Sequence, residues 1–184
     1  MCCRYRLAPP IDMQPSIFPV APLDVQIIST LAETIWRHHY VNIISAAQID
    51  YMLQQRYQPE LIRQQLLNPD IWWRKLTLND VIIGFSCCMR THNPVELKID
   101  KLYIHPDHHR KGYGALLVAD AIKILQENNL QSLILTVNKN NCRAISAYRH
   151  YGFAITGDSI VDIGNGFIMN DYLMTLEKLN RVAD

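Results

Sequence analysis

The hydrophobic period of this sequence changes at Trp72, from the spacing of helices to the composition of strands. Before Trp72, apolar residues recur at the i, i+3, i+4, i+7 spacing of one helix face, as they do over residues 28–35. After it, three successive segments are rich in β-branched and aromatic residues, which predicts strands at 72–78, 81–89 and 95–104. A helical section followed by strands and helices favours an α/β fold.

Cap and turn signals define further elements. Ser45 with Gln48 three residues later predicts a capping box, and Asn79-Asp80 predicts a two-residue hairpin turn. Gly152 suits the left-handed position that follows a helix. The other predicted elements are a strand at 16–20, helices between Pro59 and Pro69, at 112–128 and at 142–151, and strands at 132–137, 153–161 and 167–179. We predict one domain over residues 1–184 with a mixed sheet, in which residues 1–15 form an irregular extension.

Net charge limits the classes of partner. The chain has 18 basic and 17 acidic residues, a formal net charge of +1, which gives no reason to expect nucleic acid or an anionic membrane. No apolar stretch reaches about 18 residues, and residues 1–10 lack the apolar region of a signal peptide. The five cysteines show no metal-ligand spacing and suit free thiols in a reducing cytosol. We therefore expect a cytoplasmic protein.

A glycine loop at residues 105–114 joins a predicted strand to a predicted helix. Gly112 and Gly114 allow a tight turn, and the N–H groups of the loop and of the first helical turn together favour an anion. Arg110 and Lys111 add two positive charges, so the chemistry fits a diphosphate. The loop is neither a Walker loop nor a dinucleotide fingerprint. A plain turn into an amphipathic helix is the alternative, but it does not explain the two cations.

Histidines in the same loop raise the question of zinc. His105, His108 and His109, with Asp107, supply four side chains of metal-binding type. Metal sites take their ligands from rigid elements, whereas all four of these residues lie in one loop. We therefore expect no metal.

A second motif begins at Asn141. Asn141, Ala144 and Tyr148 are spaced i, i+3 and i+7, so they share one face of the helix predicted at 142–151. Helix capping alone would account for Asn141, and a place in the core alone would account for Tyr148.

Together the two motifs resemble those of the GNAT superfamily of acetyltransferases. Residues 102–114 resemble its acetyl-CoA signature, residues 141–153 resemble its second conserved stretch, and the resemblance covers most of residues 70–179. The N-terminal part and the end of the chain resemble the PaiA-type branch, which is associated with spermidine and other polyamines; the residues concerned are Trp36, Tyr40, 48–52, 101–103 and 166–174.

The resemblance implies a fold and an activity. The fold would be the GNAT α/β fold, a mixed central sheet of six to seven strands that is splayed between the fourth and fifth strands and flanked by helices. The activity would be transfer of the acetyl group of acetyl-CoA, the cosubstrate, to a primary amine of a small polyamine-like acceptor by direct attack on the thioester. Alternatives are acetylation of protein N-termini or lysines in a peptide acceptor, or a non-catalytic regulator that binds coenzyme A. A homodimer is left open.

The resemblance also implies the cofactor site. The pantetheine arm would pair with the backbone of the third long strand and the pyrophosphate would lie in the glycine loop; the residues are Leu102, Tyr103, Ile104, His109, Arg110, Lys111, Gly112, Tyr113, Gly114, Ala115, Asn141, Ala144 and Tyr148. Tyr148 would be the general acid that protonates the leaving thiolate. His109 and Arg110 depart from the usual family residues but leave the backbone of the loop unchanged.

The general base is the main departure from the family pattern. Many relatives have a glutamate at the position aligned with Lys98. Side chains alternate along a strand, so Glu96 and Asp100 share the face of Lys98 and become the catalytic candidates, with cross-strand ion pairing as the alternative for each.

A carboxylate and aromatic rings near the acceptor would suit a cationic amine. The candidates for substrate binding are Tyr40, Tyr51, Asp171 and Tyr172. Packing of a helix against the sheet edge would explain these residues equally well.

Overall fold

The computed structural model describes residues 14–177, in which a seven-stranded sheet has helices on both faces. The strands are β1 (Ser16–Pro19), β2 (Ile71–Leu78), β3 (Val81–Arg90), β4 (Glu96–Ile104), β5 (Ser132–Asn138), β6 (Ala154–Gly164) and β7 (Phe167–Glu177). The helices are α1 (Val25–His39), α2 (Ala46–Arg56), α3 (Pro59–Leu66), α4 (Tyr113–Glu127) and α5 (Cys142–His150).

Local sequence signals explain where many of these elements begin and end. The side chain of Ser45 accepts a hydrogen bond from the Gln48 N–H at the start of α2, as the capping pattern predicts. Asn79 and Asp80 have φ values of 51° and 63°, the left-handed geometry of a tight hairpin turn. The prediction of an extension at 1–15 and the end of the strand predicted at 167–179 lie largely outside the described residues.

The sheet is mixed, as predicted. Its order is β1-β2-β3-β4-β5-β7-β6, and β4–β5 is the parallel pair within residues 14–177. This pair extends only from Glu96↔Ser132 to Ile99↔Leu135. Beyond Ile99 and Leu135 the two strands separate, which confirms the predicted splay between the fourth and fifth strands.

Each face of the sheet has its own core. Consecutive residues of a strand point to opposite faces, so Trp73 packs with α1, α2 and α3, whereas Trp72 packs on the cluster that contains α4 and α5. In the same way, Cys87 lies in the core beside α1, α2 and α3, and Cys88 lies in the core beside α4 and α5. The splay therefore lies between two helical layers. Within residues 14–177, no helix combines the length and apolar character required to cross a membrane.

A β-bulge interrupts β4 where the splay begins. Cys87 is paired with Lys101 and Cys88 with Ile99, so Asp100 is left without a cross-strand partner. A bulge re-aims the side chains that follow it. As a result, the adjacent side chains of Asp100 and Lys101 are both buried, with 7% and 2% of their surfaces exposed.

Candidate active site

The splay opens into a cavity of about 400 Å³. Its walls are the separated ends of β4 and β5, the ends of α1 and α2, the first turn of α4, one face of α5, and β7. Of the cofactor residues expected from the sequence, the cavity is lined by Leu102, Tyr103, Ile104, His109, Arg110, Gly112, Tyr113, Gly114, Asn141, Ala144 and Tyr148. The separation of the strands thus brings the two sequence motifs to one space.

The glycine loop forms one end of the cavity. Gly112 occupies the N-cap position of α4 with a φ of 79°, and a Cβ there would meet no atom within 4 Å. Glycine is therefore favoured by its left-handed backbone rather than by lack of space. Lys111 and Ala115 are not among the cavity residues, and the Lys111 ammonium instead donates to the Asp107 carbonyl at 3.1 Å.

His109 fastens this loop to the end of β4. Its Nε2 lies 2.8 Å from the Ile104 carbonyl oxygen, which can only accept, so Nε2 carries the ring proton. Burial lowers the pKa of His109, and the hydrogen bond to Ile104 partly offsets this effect. The His109 ring thereby connects the glycine loop to the strand edge predicted to bind pantetheine.

Asn141 joins the two helical layers at the mouth of the splay. Its side-chain oxygen accepts from the Ala144 N–H at 3.2 Å, which caps α5. Its Nδ2 lies 3.0 Å from Nε2 of His39 at the end of α1. The amide is the donor in this pair, so His39 Nε2 is unprotonated, in keeping with a pKa that burial lowers.

Tyr148 lies on the cavity face of α5, nearly two turns beyond Asn141. Its ring packs edge-on against Phe153 at 5.7 Å between centroids. Burial raises the pKa of Tyr148 above its ordinary value. The hydroxyl therefore remains protonated through the neutral range, as a proton donor must.

Asp100 lies in the cavity wall, held between two cations. Arg56 at the end of α2 lies 2.5 Å from its Oδ1, and the Lys101 ammonium contacts its Oδ2. Burial alone would raise the pKa of Asp100, but Lys101 and Arg56 outweigh it and hold the pKa well below its usual range. Asp100 is therefore a poor proton acceptor.

Glu96 lies away from the cavity. It occupies the first position of β4, where its carboxylate accepts a hydrogen bond from the Thr91 hydroxyl at 2.8 Å, and it does not line the cavity. Lys98 is also absent from the lining, with its ammonium 4.0 Å from Asp100 Oδ1. Of the two carboxylates considered as base, the structure brings only Asp100 to the site.

Two of the four residues predicted to bind the acceptor line the cavity, namely Tyr40 and Asp171. The Tyr40 hydroxyl lies 3.4 Å from that of Tyr103 on β4. Tyr51 instead donates to the Ile163 carbonyl at 2.6 Å, which ties α2 to the β6–β7 hairpin. Tyr172 follows Asp171 in β7 and so points to the opposite face, where its ring meets the Lys139 ammonium 5.1 Å from the centroid.

Several cavity residues carry no local signal in the sequence. Arg56 reaches Asp100 from α2 through tertiary packing. Lys101 is adjacent to Asp100 in sequence but is buried with it because of the bulge, with its ammonium over the Trp73 ring at 5.1 Å. His39 ends a helix as an ordinary basic residue would, and its contact with Asn141 spans 102 residues of sequence. No local pattern encodes such pairs.

Comparison with known proteins agrees with this geometry. The acetyltransferase (GNAT) family matches residues 29–153. A spermidine N(1)-acetyltransferase of Thermoplasma acidophilum is 25% identical over 150 residues, which cover 79% of this chain and 89% of that protein. The peptidyl-lysine N-acetyltransferase YjaB of Salmonella typhimurium is 32% identical over 90 residues, covering 49% of this chain and 54% of that one.

Solved structures share the fold. The PaiA N-acetyltransferase of Thermoplasma acidophilum, in complex with coenzyme A, superposes with a TM-score of 0.75 at 21% identity, covering 90% of this chain and 100% of that one. The yncA protein of Salmonella typhimurium, a putative acetyltransferase with acetyl-CoA, gives a TM-score of 0.64 at 18% identity, covering 93% and 98%.

Proposed function

Because this chain belongs to the GNAT family of acetyltransferases, whose members draw on acetyl-CoA, we propose that it acetylates a primary amine by direct attack of the nitrogen on the thioester. The observation that carries the proposal is the open edge of β4, which faces Tyr148 across one cavity. An exposed strand edge can pair with an amide-bearing chain, and Tyr148 lines the same cavity.

The cavity residues suit the cofactor in three parts. The backbone of Leu102 to Ile104 pairs with β3 on one side and faces the cavity on the other, so it would hold the amides of pantetheine. The first turn of α4 and the loop through His109 and Arg110 would hold the pyrophosphate, since N–H groups and positive charge converge there. Asn141 would contact pantetheine from α5.

Tyr148 would protonate the leaving thiolate. A tyrosine hydroxyl is a weak acid, and burial keeps this one protonated through the neutral range, so its proton is in place when the thiolate forms. A backbone N–H of the open β4 edge would stabilise the oxyanion that builds up as the amine adds.

The positions of the cysteines favour direct transfer of the acetyl group to the amine over a mechanism that first acetylates a cysteine of the enzyme. Cys87 and Cys88 are fully buried, do not line the cavity, and have pKa values raised by burial, to about 12 for Cys87. Cys142 is exposed at the start of α5, also outside the cavity lining. None of these three thiols is placed as a nucleophile.

A small polyamine-like molecule is the acceptor we favour. The relative matched over most of both chains is named a spermidine acetyltransferase, and the cavity offers carboxyl groups and aromatic rings to a cationic amine. The peptidyl-lysine relative supports a protein acceptor instead, but it matches only about half of each chain. A non-catalytic regulator would have no use for a buried proton donor at Tyr148.

The test is turnover with a panel of amines, followed as release of free thiol from acetyl-CoA. Spermidine and a lysine-containing peptide compete in one reaction, with products identified by mass spectrometry. Acetylated spermidine in excess is the expected result. Acetyl-CoA binding without turnover of any amine would contradict the enzymatic proposal, and a dominant peptide product would contradict the polyamine acceptor.

A further inference from the structure

Two acidic side chains line the cavity among the described residues, Asp100 and Asp171. They differ in their partners. Asp100 is bound by Arg56 and Lys101, whereas Oδ1 of Asp171 is buried without a hydrogen-bond partner in residues 14–177, and Asp171 as a whole is 3% exposed. A buried carboxylate oxygen without a donor is costly, so it is available to a proton or to a donor brought by a ligand.

The cations around Asp171 are already engaged elsewhere. Arg56 of α2 and Lys98 of β4 both lie nearer to Asp100, at 2.5 Å and 4.0 Å, and Lys139 beyond β5 binds Asp158 at 2.7 Å. Burial raises the pKa of Asp171, and Lys98, Arg56 and Lys139 reduce that rise without cancelling it. The hydroxyl of Tyr40, which is uncharged at neutral pH, also interacts with Asp171.

The cavity histidines are less suited to remove a proton from an amine. The Nε2 lone pair of His39 already accepts from Asn141, so its other ring nitrogen carries the proton. His109 donates to the Ile104 carbonyl from the loop at the far end of β4. The Nδ1 of His108 in the same loop is also buried without a partner among the described residues, but burial and the nearby Lys111 lower the pKa of His108, which makes it a weaker base than an ordinary histidine.

We propose that Asp171 is the catalytic base that takes a proton from the ammonium form of the acceptor, an assignment that rests on the amine acetylation proposed above. The acceptor ammonium gives one proton to the Asp171 carboxylate and becomes a neutral amine. The amine nitrogen then bonds to the acetyl carbon as the carbon–sulfur bond breaks. Tyr148 protonates the thiolate, and the second nitrogen proton restores the Tyr148 hydroxyl. One proton per turnover leaves through Asp171.

The experiment measures kcat/KM against pH for the wild-type protein and for Asp171→Asn, which keeps the side-chain shape. Spermidine, an ammonium ion at neutral pH, and trifluoroethylamine, a neutral amine there, serve as acceptors. For spermidine we expect a loss of roughly 100-fold at pH 7, in the range of general base catalysis, which shrinks as the pH approaches the amine pKa of about 10. For trifluoroethylamine we expect a loss of only a few-fold.

The matched control is Asp70→Asn, which removes an exposed carboxylate paired with Arg90 just before β2 and should leave both profiles unchanged. Acetyl-CoA affinity, measured separately, shows that each variant is folded. A wild-type pH profile in Asp171→Asn, or an equal loss with both amines at every pH, overturns the assignment of Asp171 alone. Wild-type protein that acetylates neither amine overturns the proposed function and this assignment with it.

Discussion

At the scale of the residue, burial decides which cavity side chains can hold or release a proton. It raises the pKa of Tyr40, Tyr103 and Tyr148, so all three hydroxyls stay protonated at neutral pH. Asp100 is buried as well, yet the adjacent cations keep it ionised. The same desolvation therefore gives opposite outcomes, according to whether a charged partner is present.

The role proposed for Tyr148 predicts the behaviour of Tyr148→Phe. Removing the hydroxyl should lower kcat by roughly 100-fold, because the thiolate must then leave unprotonated, while the Kd for acetyl-CoA changes little. Steady-state kinetics measures the change in kcat, and a binding titration measures the Kd for acetyl-CoA. Tyr51→Phe is the control, since that hydroxyl binds the Ile163 carbonyl outside the cavity. A variant with wild-type kcat would remove Tyr148 from the mechanism.

The lowered pKa of Asp100 predicts that the stability of the protein depends on pH. This pKa is lower in the folded protein than in the unfolded chain, where it is about 3.9. The charge of Asp100 therefore stabilises the fold at pH values above the pKa of the unfolded chain. This stabilisation is lost as the pH falls from the unfolded pKa toward the lower folded pKa.

Asp100→Asn should accordingly reduce the free energy of unfolding by roughly 3 kcal/mol at pH 7, because Arg56 and Lys101 lose their buried partner. The difference from the wild type should shrink below about pH 4. Urea unfolding from pH 3 to 7 measures it, with Asp158→Asn as an exposed control pair. A difference that is constant with pH would show that the charge of Asp100 is not the cause.

At the scale of the element, the sequence predicted what local chemistry determines. Helix starts and turns follow from nearby residues, as at Ser45 and at Asn79-Asp80, and the strands follow from their composition. The bulge at Asp100 could not be predicted, because it depends on how β3 pairs with β4. Simple alternation therefore fails to foresee that Lys101 joins Asp100 in the interior.

The candidate site shows the same limit. Asp171 and Tyr172 are consecutive in β7, so the alternation of side chains places them on opposite faces. From residue type alone, both are nevertheless predicted to bind the acceptor. The partners of Asp100 and of Asn141 required the tertiary structure, because Arg56 and His39 come from helices far away in sequence.

At Gly84, β3 leaves no room for a side chain beside β4. A Cβ at Gly84 would lie 2.6 Å from Ile104 Cδ1 and 2.7 Å from the Tyr103 carbonyl oxygen. Gly84→Ala should therefore displace the end of β4 that faces the cavity, lowering the free energy of unfolding by roughly 1–3 kcal/mol and weakening acetyl-CoA binding.

Gly157→Ala in β6 is the matched control for Gly84→Ala. The nearest atom to its added Cβ would lie 3.9 Å away, on Leu173, so neither property should change much. Chemical unfolding and an acetyl-CoA titration measure both variants. If the two substitutions behave alike, the packing of β3 against β4 does not position the cofactor edge.

At the scale of the whole molecule, the sheet consists of two parts that share few strand contacts. β1–β4 and β5–β7 are joined by the four residue pairs between Glu96↔Ser132 and Ile99↔Leu135. Side-chain contacts such as that of Asn141 with His39 add to this connection. A ligand in the splay would contact both parts at once, so its binding should stabilise the entire fold.

Acetyl-CoA at 100 times its Kd should add about 2.7 kcal/mol to the free energy of unfolding, which corresponds to a rise in Tm of roughly 5–10 °C for a chain of this size. Thermal unfolding monitored by circular dichroism measures the shift. Adenosine 3′,5′-diphosphate, which lacks the pantetheine arm, should produce a smaller shift at the same concentration. Equal shifts would mean that the arm does not bridge the two parts.

The splay also has a consequence for association between copies of the chain. A sheet that opens in its middle has four strand edges instead of two, and free edges invite pairing with other chains. The inner two face the cavity of about 400 Å³ between the two helical layers. Of the outer two, β1 has four residues and ends at Pro19, and β6 has two breaks in register. The inner edges are thus enclosed within the fold, and the short β1 and the irregular β6 offer less regular outer edges for pairing with another copy.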